Sequence, residues 1–324
     1  MKFKLILLSC ALLLSSQSYA AEKTKLRLAV LAFGTVNWEL NTVKKQNLLA
    51  DAGFELEILP VANSQAGKIA LQSGAVDMIV SDWIWVSRMR STGSDFSFYP
   101  YSTTAGALIV AENSAIKSLA DLAGKKLGIA GGELDKNWLL LQALANQQKQ
   151  INLNTSVEKT YGAPPLLNQQ LIHGRVDAVI NYWHFAARLE AKAYKQLING
   201  KEILQQLGIK EQVPTLGYVF NRQWAEQNKQ TLKQFLHATQ QAKNLVCQSD
   251  EAWQVIVPLT KAKDTVTQNI LRERYCSGRI KQWGNNEQLA AAKIYSLLRK
   301  FSQNKLTGNA ETIQAGTFWN DESL

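Results

Sequence analysis

Gly74-Ala75-Val76-Asp77-Met78-Ile79-Val80-Ser81-Asp82-Trp83 and Gly174-Arg175-Val176-Asp177-Ala178-Val179-Ile180-Asn181-Tyr182-Trp183 stand 100 residues apart and follow one pattern. In each, a helix-ending Gly precedes a short β-branched run, then a polar pair and a Trp. Such a continuous apolar run reads as a buried parallel strand, and in open α/β sheets ligands sit just beyond the carboxyl ends of such strands. Two copies predict two lobes, each presenting strand ends to a shared cleft.

The surrounding segments supply the rest of an α/β pattern. Residues 26–32 read as a strand, with a helical pattern running to Gly53; 54–59 read as a second strand and 64–73 as a short helix. This β-α-β-α-β order leads into the first copy and implies right-handed winding. Tyr99-Pro100-Tyr101-Ser102-Thr103-Thr104 interrupts it, and the chain is expected to cross there into the second lobe. In that lobe 107–111 is extended, a helix spans about 135–148, a strand lies near 157–160, and Pro164-Pro165 opens a helix, where a missing N–H is harmless. Residues 215–220 read as the strand that returns to the first lobe. The later helices, at 232–246, 251–259, 266–275 and 287–301, are expected to pad that lobe, with a loosely docked tail from about Gly308. The predicted organisation is lobe 1 from 21–103 plus 215–324 and lobe 2 from 104–214.

Residues 1–20 read as an export signal. Lys2 and Lys4 are its charged start, residues 5–14 its apolar stretch, and Ser18-Tyr19-Ala20 a small-x-small cleavage site. Cys10 lies within the apolar stretch, which continues past it, unlike a lipoprotein box. The expected location is therefore the periplasm. Cleavage leaves Cys247 and Cys276, a pair in an oxidising compartment, for which a structural disulfide is expected. The mature chain carries 34 basic and 26 acidic residues, a balance of +8 spread along the sequence without an Arg-rich stripe, which argues against nucleic acid as a partner. The roughly 300 remaining residues can bury a large core.

Ser118-Leu119-Ala120-Asp121-Leu122-Ala123-Gly124-Lys125-Lys126-Leu127-Gly128, between the two Gly-x-Val-Asp elements, resembles the soluble binding proteins of ABC importers. The likeness covers about residues 25–260. It is greatest to the group that captures nitrate, sulfonates, taurine and the pyrimidine precursor of thiamine. What it implies is an α/β, two-lobed periplasmic binding protein type 2 fold. Each lobe would be a mostly parallel sheet flanked by helices. The protein would be a monomer that closes on a small solute and presents it to an ABC permease at the inner membrane, with no cofactor and no metal.

By the same resemblance the ligand loops hold Asn37 and Trp38, then Asn63, Ser64 and Gln65, then Ser81, Asp82 and Trp83. The second lobe would add Gly131, Gly132, Glu133 and Lys136, then Tyr161 and Gly162, then Asn181, Tyr182, Trp183 and His184. The expected arrangement sandwiches the solute between Trp83 and Trp183. Backbone N–H groups at Gly131-Gly132 could hold a sulfonate, taurine or nitrate-type anion. Glu133, Asp135 and Asp82 stand where an oxyanion site gains from Ser, Thr or Arg, so the sequence favours a nitrogenous, aromatic or cationic solute. An accessory or sensing role without import is the other reading. Asp77 and Asp177 are expected to bond backbone groups. Gly-x-Ser-x-Gly, a phosphate loop and His-Glu-x-x-His are all missing, and the cysteine-rich segment of biosynthetic relatives is reduced to two cysteines outside the cleft, so no enzyme is expected.

Overall fold

The computed structural model describes residues 24–320; the expected export signal, with Cys10, lies outside the described residues. Strand β1 (Thr24–Leu31) leads through α1 (Val36–Lys45), β2 (Phe54–Val61) and α2 (Ser64–Gln72) to β3 (Met78–Ser81), α3 (Trp83–Arg90) and β4 (Phe96–Ser102). The second sheet begins with β5 (Ala107–Val110) and continues through β6 (Lys126–Ala130), α4 (Lys136–Lys149), α5 (Leu153–Ser156) and β7 (Glu158–Gly162). Helix α6 (Pro164–Ile172), β8 (Ala178–Asn181), α7 (Trp183–Glu190), β9 (Lys195–Asn199) and α8 (Gly200–Gln206) complete that half. Then β10 (Leu216–Asn221) rejoins the first sheet, and α9 (Arg222–Gln227), α10 (Lys229–Gln248), α11 (Asp250–Thr260), α12 (Thr265–Ser277) and α13 (Asn285–Phe301) follow.

The sheets have the orders β2-β1-β3-β10-β4 and β7-β6-β8-β5-β9. In each, four strands point one way and one, β10 or β5, runs against them. The repeated sequence element forms the central strands β3 and β8. Its Asp plays one part in both copies: a carboxylate oxygen accepts the backbone N–H of Arg27 from Asp77 (2.9 Å), and of Lys126 from Asp177 (2.7 Å). Each short carboxylate thereby anchors the start of the strand beside it.

Two chain passages join the sheets, and they are tied to each other. Thr215 donates its backbone N–H to Ser102 O and its hydroxyl to Thr104 O, while Thr103 N–H donates to Gly278 O just after α12. The C-terminal helices do more than pad the first sheet: α12 packs on α7 and α13 on α4, both of the second sheet, while α10 and α11 pack on α1. The tail is also firmly docked, contrary to the expectation from its irregular sequence. Phe98 and residues 317–319 exchange backbone hydrogen bonds of 2.8 and 2.9 Å, which covers the free edge of β4, and Trp319 is buried against Phe220.

Cys247, at the end of α10, is bonded to Cys276, at the end of α12, across 29 positions. Closing a loop of that length stabilises by about 3–4 kcal/mol in the chain-entropy model. Cys247→Ser/Cys276→Ser is therefore expected to lower the denaturant unfolding free energy by about that amount, and reduction of the native protein by a similar amount. A loss below about 1 kcal/mol in chemical denaturation would show that packing of α12 alone holds this corner.

Candidate functional site

The carboxyl ends of β1, β2 and β3 face those of β6, β7 and β8, and an ion pair spans the space between them. Asp82 caps α3 by accepting the backbone N–H of Trp85 (2.9 Å), and its other oxygen lies 3.1 Å from the ammonium of Lys136, the first residue of α4. Burial alone would raise the Asp82 pKa, but Lys136, Lys68 and the Trp85 N–H outweigh it and hold the carboxyl below its ordinary value. A second, exposed pair, Glu133 with Lys305 (3.1 Å), crosses nearby.

Lys68 is the cation that sequence reasoning missed. It lies four residues into α2, with its ammonium 5.0 Å from the centre of the Trp85 ring. Burial pushes its pKa down, and Lys136 and Arg88 add to that while Asp82 opposes it. Among the described residues it makes no ion pair. The available signal was its helical spacing from Ser64, which brings it to the strand ends one turn after the loop.

Of the helices that follow the strand ends, α2, α3 and α4 are capped by side chains, whereas α1, α6 and α7 are not. Asn63 caps α2 through Ala66 N–H, and Asp135 caps α4 through the N–H groups of Asn137 (2.9 Å) and Trp138 (3.1 Å). Gly131 and Gly132 both adopt positive φ, +83° and +85°. At Gly131 a Cβ would fall 2.7 Å from the Tyr182 hydroxyl and 2.9 Å from Asp135 Oδ2, so the glycine lets these two groups converge. Burial, with Asp135 close by, pushes the Tyr182 phenol up to about 12.

Residues 41–252, well over half of the chain, match the family described as NMT1/THI5 like. The chain belongs to the NMT1/THI5-like family. No curated protein sequence matches it significantly. Among solved structures, the periplasmic aliphatic sulphonate binding protein SsuA from Escherichia coli is similar over 91% of this chain and 97% of its own, with a TM-score of 0.72 at 20% identity. The alkanesulfonate-binding protein SsuA from Xanthomonas axonopodis pv. citri, bound to MOPS, matches over 93% and 99% with a TM-score of 0.68 at 17% identity. An ABC transporter structure from Parabacteroides distasonis matches over 92% and 100% with a TM-score of 0.69 at 13% identity. At these identities the likeness establishes the two-lobed periplasmic binding protein fold.

Within this NMT1/THI5-like fold the expected ligand residues separate into two groups. Ser64, Gln65, Glu133 and Tyr161 are exposed at the strand ends, with Asp82, Lys136, Gly131, Gly132 and Tyr182 around the bridging pair. The others are committed to the fold. Trp83 is 2% exposed, lies against Tyr295 (6.4 Å between ring centres), and donates its indole N–H to Pro214 O (3.0 Å). It cannot form one wall of an aromatic sandwich. Trp38 is buried against Trp253 and Tyr275 and meets Trp183 edge-on at 6.0 Å, so the two tryptophans pack on each other and leave no slot for a solute between them. Ser81 is buried within β3. Asn37 donates to Leu31 O (2.8 Å) and Gly34 O (2.9 Å), tightening the turn after β1. Asn181, 1% exposed, donates to Pro164 O and Asn168 Oδ1 and accepts from Tyr182 N–H.

His184 is also withdrawn from the cleft. Its ring lies against Phe185, 4.4 Å away, and its Nδ1 has no partner among the described residues. Burial, with Arg188 adding positive charge, lowers its pKa to about 4. A folded-state value below the unfolded one, about 6.5, means that its neutral form stabilises the fold fully above pH 6.5 and that this contribution fades as pH falls toward 4. The loss is about 3 kcal/mol. In denaturant titrations between pH 7 and 4, His184→Phe should flatten the stability profile by that much; an unchanged profile would show that the ring charges freely in the folded protein.

Proposed function

We propose that this protein is the exported solute-binding component of an ABC importer and that it captures a small organic anion between lobes formed by 21–103 plus 215–324 and by 104–214. It would act as a monomer that delivers the solute to a permease at the inner membrane, without catalysis. The observation that carries this reading is the pair Asp82–Lys136 joining the two sets of strand ends, with the unpaired Lys68 beside it. Two ammonium groups face one carboxylate there. A solute bearing a single negative head group would restore to Lys68 the charged form that burial disfavours.

Two further points support an anion over the nitrogenous solute expected from the sequence. The aromatic sandwich that suited a planar heterocycle loses one wall with the burial of Trp83. Proteins of the same fold are named as binders of aliphatic sulphonate and alkanesulfonate. One observation favours a nitrogenous solute, the Asp135 carboxylate beside Tyr182. Its oxygen Oδ1 is already engaged by the α4 amides, which weakens that case.

The closing motion follows from where these groups sit. A head group held by Lys68 from one lobe and Lys136 from the other binds the closed form more tightly than the open one, and that difference sets the population shift. A thermal-shift screen of the purified protein against ethanesulfonate, taurine, MOPS and 4-aminopyrimidine tests this, since a ligand at 100 times its dissociation constant stabilises by about 2.7 kcal/mol. A sulfonate is expected to raise Tm, and Lys68→Ala is expected to weaken that binding about tenfold or more, the usual worth of one charge-assisted hydrogen bond. Stabilisation by 4-aminopyrimidine alone, unaltered in Lys68→Ala, would return the reading to a nitrogenous solute.

A further inference from the structure

A second pocket, of about 540 Å³, opens away from the strand-end loops, between β4, β10, α10 and the segment that leads into α13. That volume lies within the roughly 300–1,000 Å³ of small-molecule sites. Its wall carries five aromatic rings: Tyr99, Tyr101, Tyr218, Trp283 and Trp319. Tyr99 and Trp283 are only half-buried and offer ring surface to the pocket. The Trp283 ring is held edge-on by Phe318, 5.0 Å between centres, so its orientation is fixed in advance of any ligand.

Around the rings stand side-chain amides. Gln240 and Asn244 come from α10, Gln282 precedes Trp283, and Asn285 and Gln288 open α13. Gln240, Gln282 and Asn285 are exposed. Asn244 Oδ1 already accepts from Arg279 and Gln288 Nε2 donates to Asn320, but the three exposed amides each offer a donor and an acceptor in a plane, the pairing that adjacent hydroxyl groups of a ring sugar require.

The lining has one acid, Glu39, against three cations, Lys243, Arg279 and Lys281. Lys243 lies 3.1 Å from Glu39 and donates to Tyr101 O; Arg279 donates to Cys276 O and to Asn244 Oδ1; and Lys281 is exposed at the rim. Arg279 and Lys281 make no ion pair among the described residues, and their N–H groups can donate to ligand hydroxyls. From two half-buried aromatic faces, three exposed amides and these cationic donors we infer that this pocket binds a ring sugar of one or two units. The inference is independent of what fills the cleft.

Isothermal titration calorimetry of the purified protein with D-glucose, maltose and trehalose, with glycerol as an open-chain comparator, tests the assignment. At least one sugar is expected to give saturable binding that glycerol does not, weakened about tenfold in Gln240→Ala/Asn285→Ala, whose substitutions are both at exposed positions. Two results would overturn it: no saturable heat with any of the three sugars, or sugar binding that is unchanged in the double variant and therefore takes place elsewhere.

Discussion

Glu39 and Lys243 are both removed from water and neither is tolerable there without the other. Glu39 is fully buried; its carboxylate lies 3.1 Å from the Lys243 ammonium and accepts the Tyr275 hydroxyl at 2.5 Å. Burial pushes the carboxyl up and the amine down, and the mutual attraction opposes both shifts. The consequence is geometric. One ion pair with its phenol and the Tyr101 carbonyl fixes α1, α10, α12 and β4 in a single arrangement, and the disulfide between Cys247 and Cys276 repeats the α10–α12 link covalently. Trp38, the residue before Glu39, is thereby placed against Trp183 of the other half.

From that corner outward the connections between the two halves differ in strength. The Trp38–Trp183 contact belongs to a buried apolar cluster with Trp253, Ile256 and Leu271, so separating it exposes hydrocarbon to water. Glu133–Lys305 is exposed, and such pairs are worth about 0–1 kcal/mol, whereas in Asp82–Lys136 the carboxylate is buried. Parting the strand ends must also move α13, which packs on α4 of the second half and, through Tyr295, on Trp83 of the first.

Much of the fold was legible because its signals are local. The β-branched runs after Gly74 and Gly174, the carboxylates that tie them to the next strand, and the Pro pair that opens α6 need only their neighbours in sequence. Two cysteines left after the signal leave one pairing. The fate of the two repeat tryptophans was not legible, since Trp83 and Trp183 hold the same place in the repeat. What buries Trp83 is Tyr295 of α13 and Phe318 of the tail, more than 200 residues later, and no window around Trp83 contains them. The tail failed for a related reason. Its order comes from edge pairing with β4 and from Trp319 docking on Phe220, which leave no periodicity behind. Lys68 was overlooked because a lysine on a short helix usually marks a solvated face, and only the approach of α4 from the other half turns it into a site residue.

The caps on the helix starts constrain how any anion must be held. A bare helix N-terminus attracts negative charge through its free N–H groups and its dipole. In α3 and α4 those groups are satisfied by Asp82 and Asp135, so the dipoles are already neutralised by residues of the chain. At these two helices the attraction for the proposed anion would come from the ammonium groups of Lys68 and Lys136, which act as mobile point charges and do not impose the fixed fork geometry of a guanidinium. A site built as proposed would discriminate weakly among head-group shapes and strongly by charge. Its selectivity among anions of equal charge must rest on the rest of the solute meeting the exposed strand-end surfaces, Tyr161 and Phe33 among them.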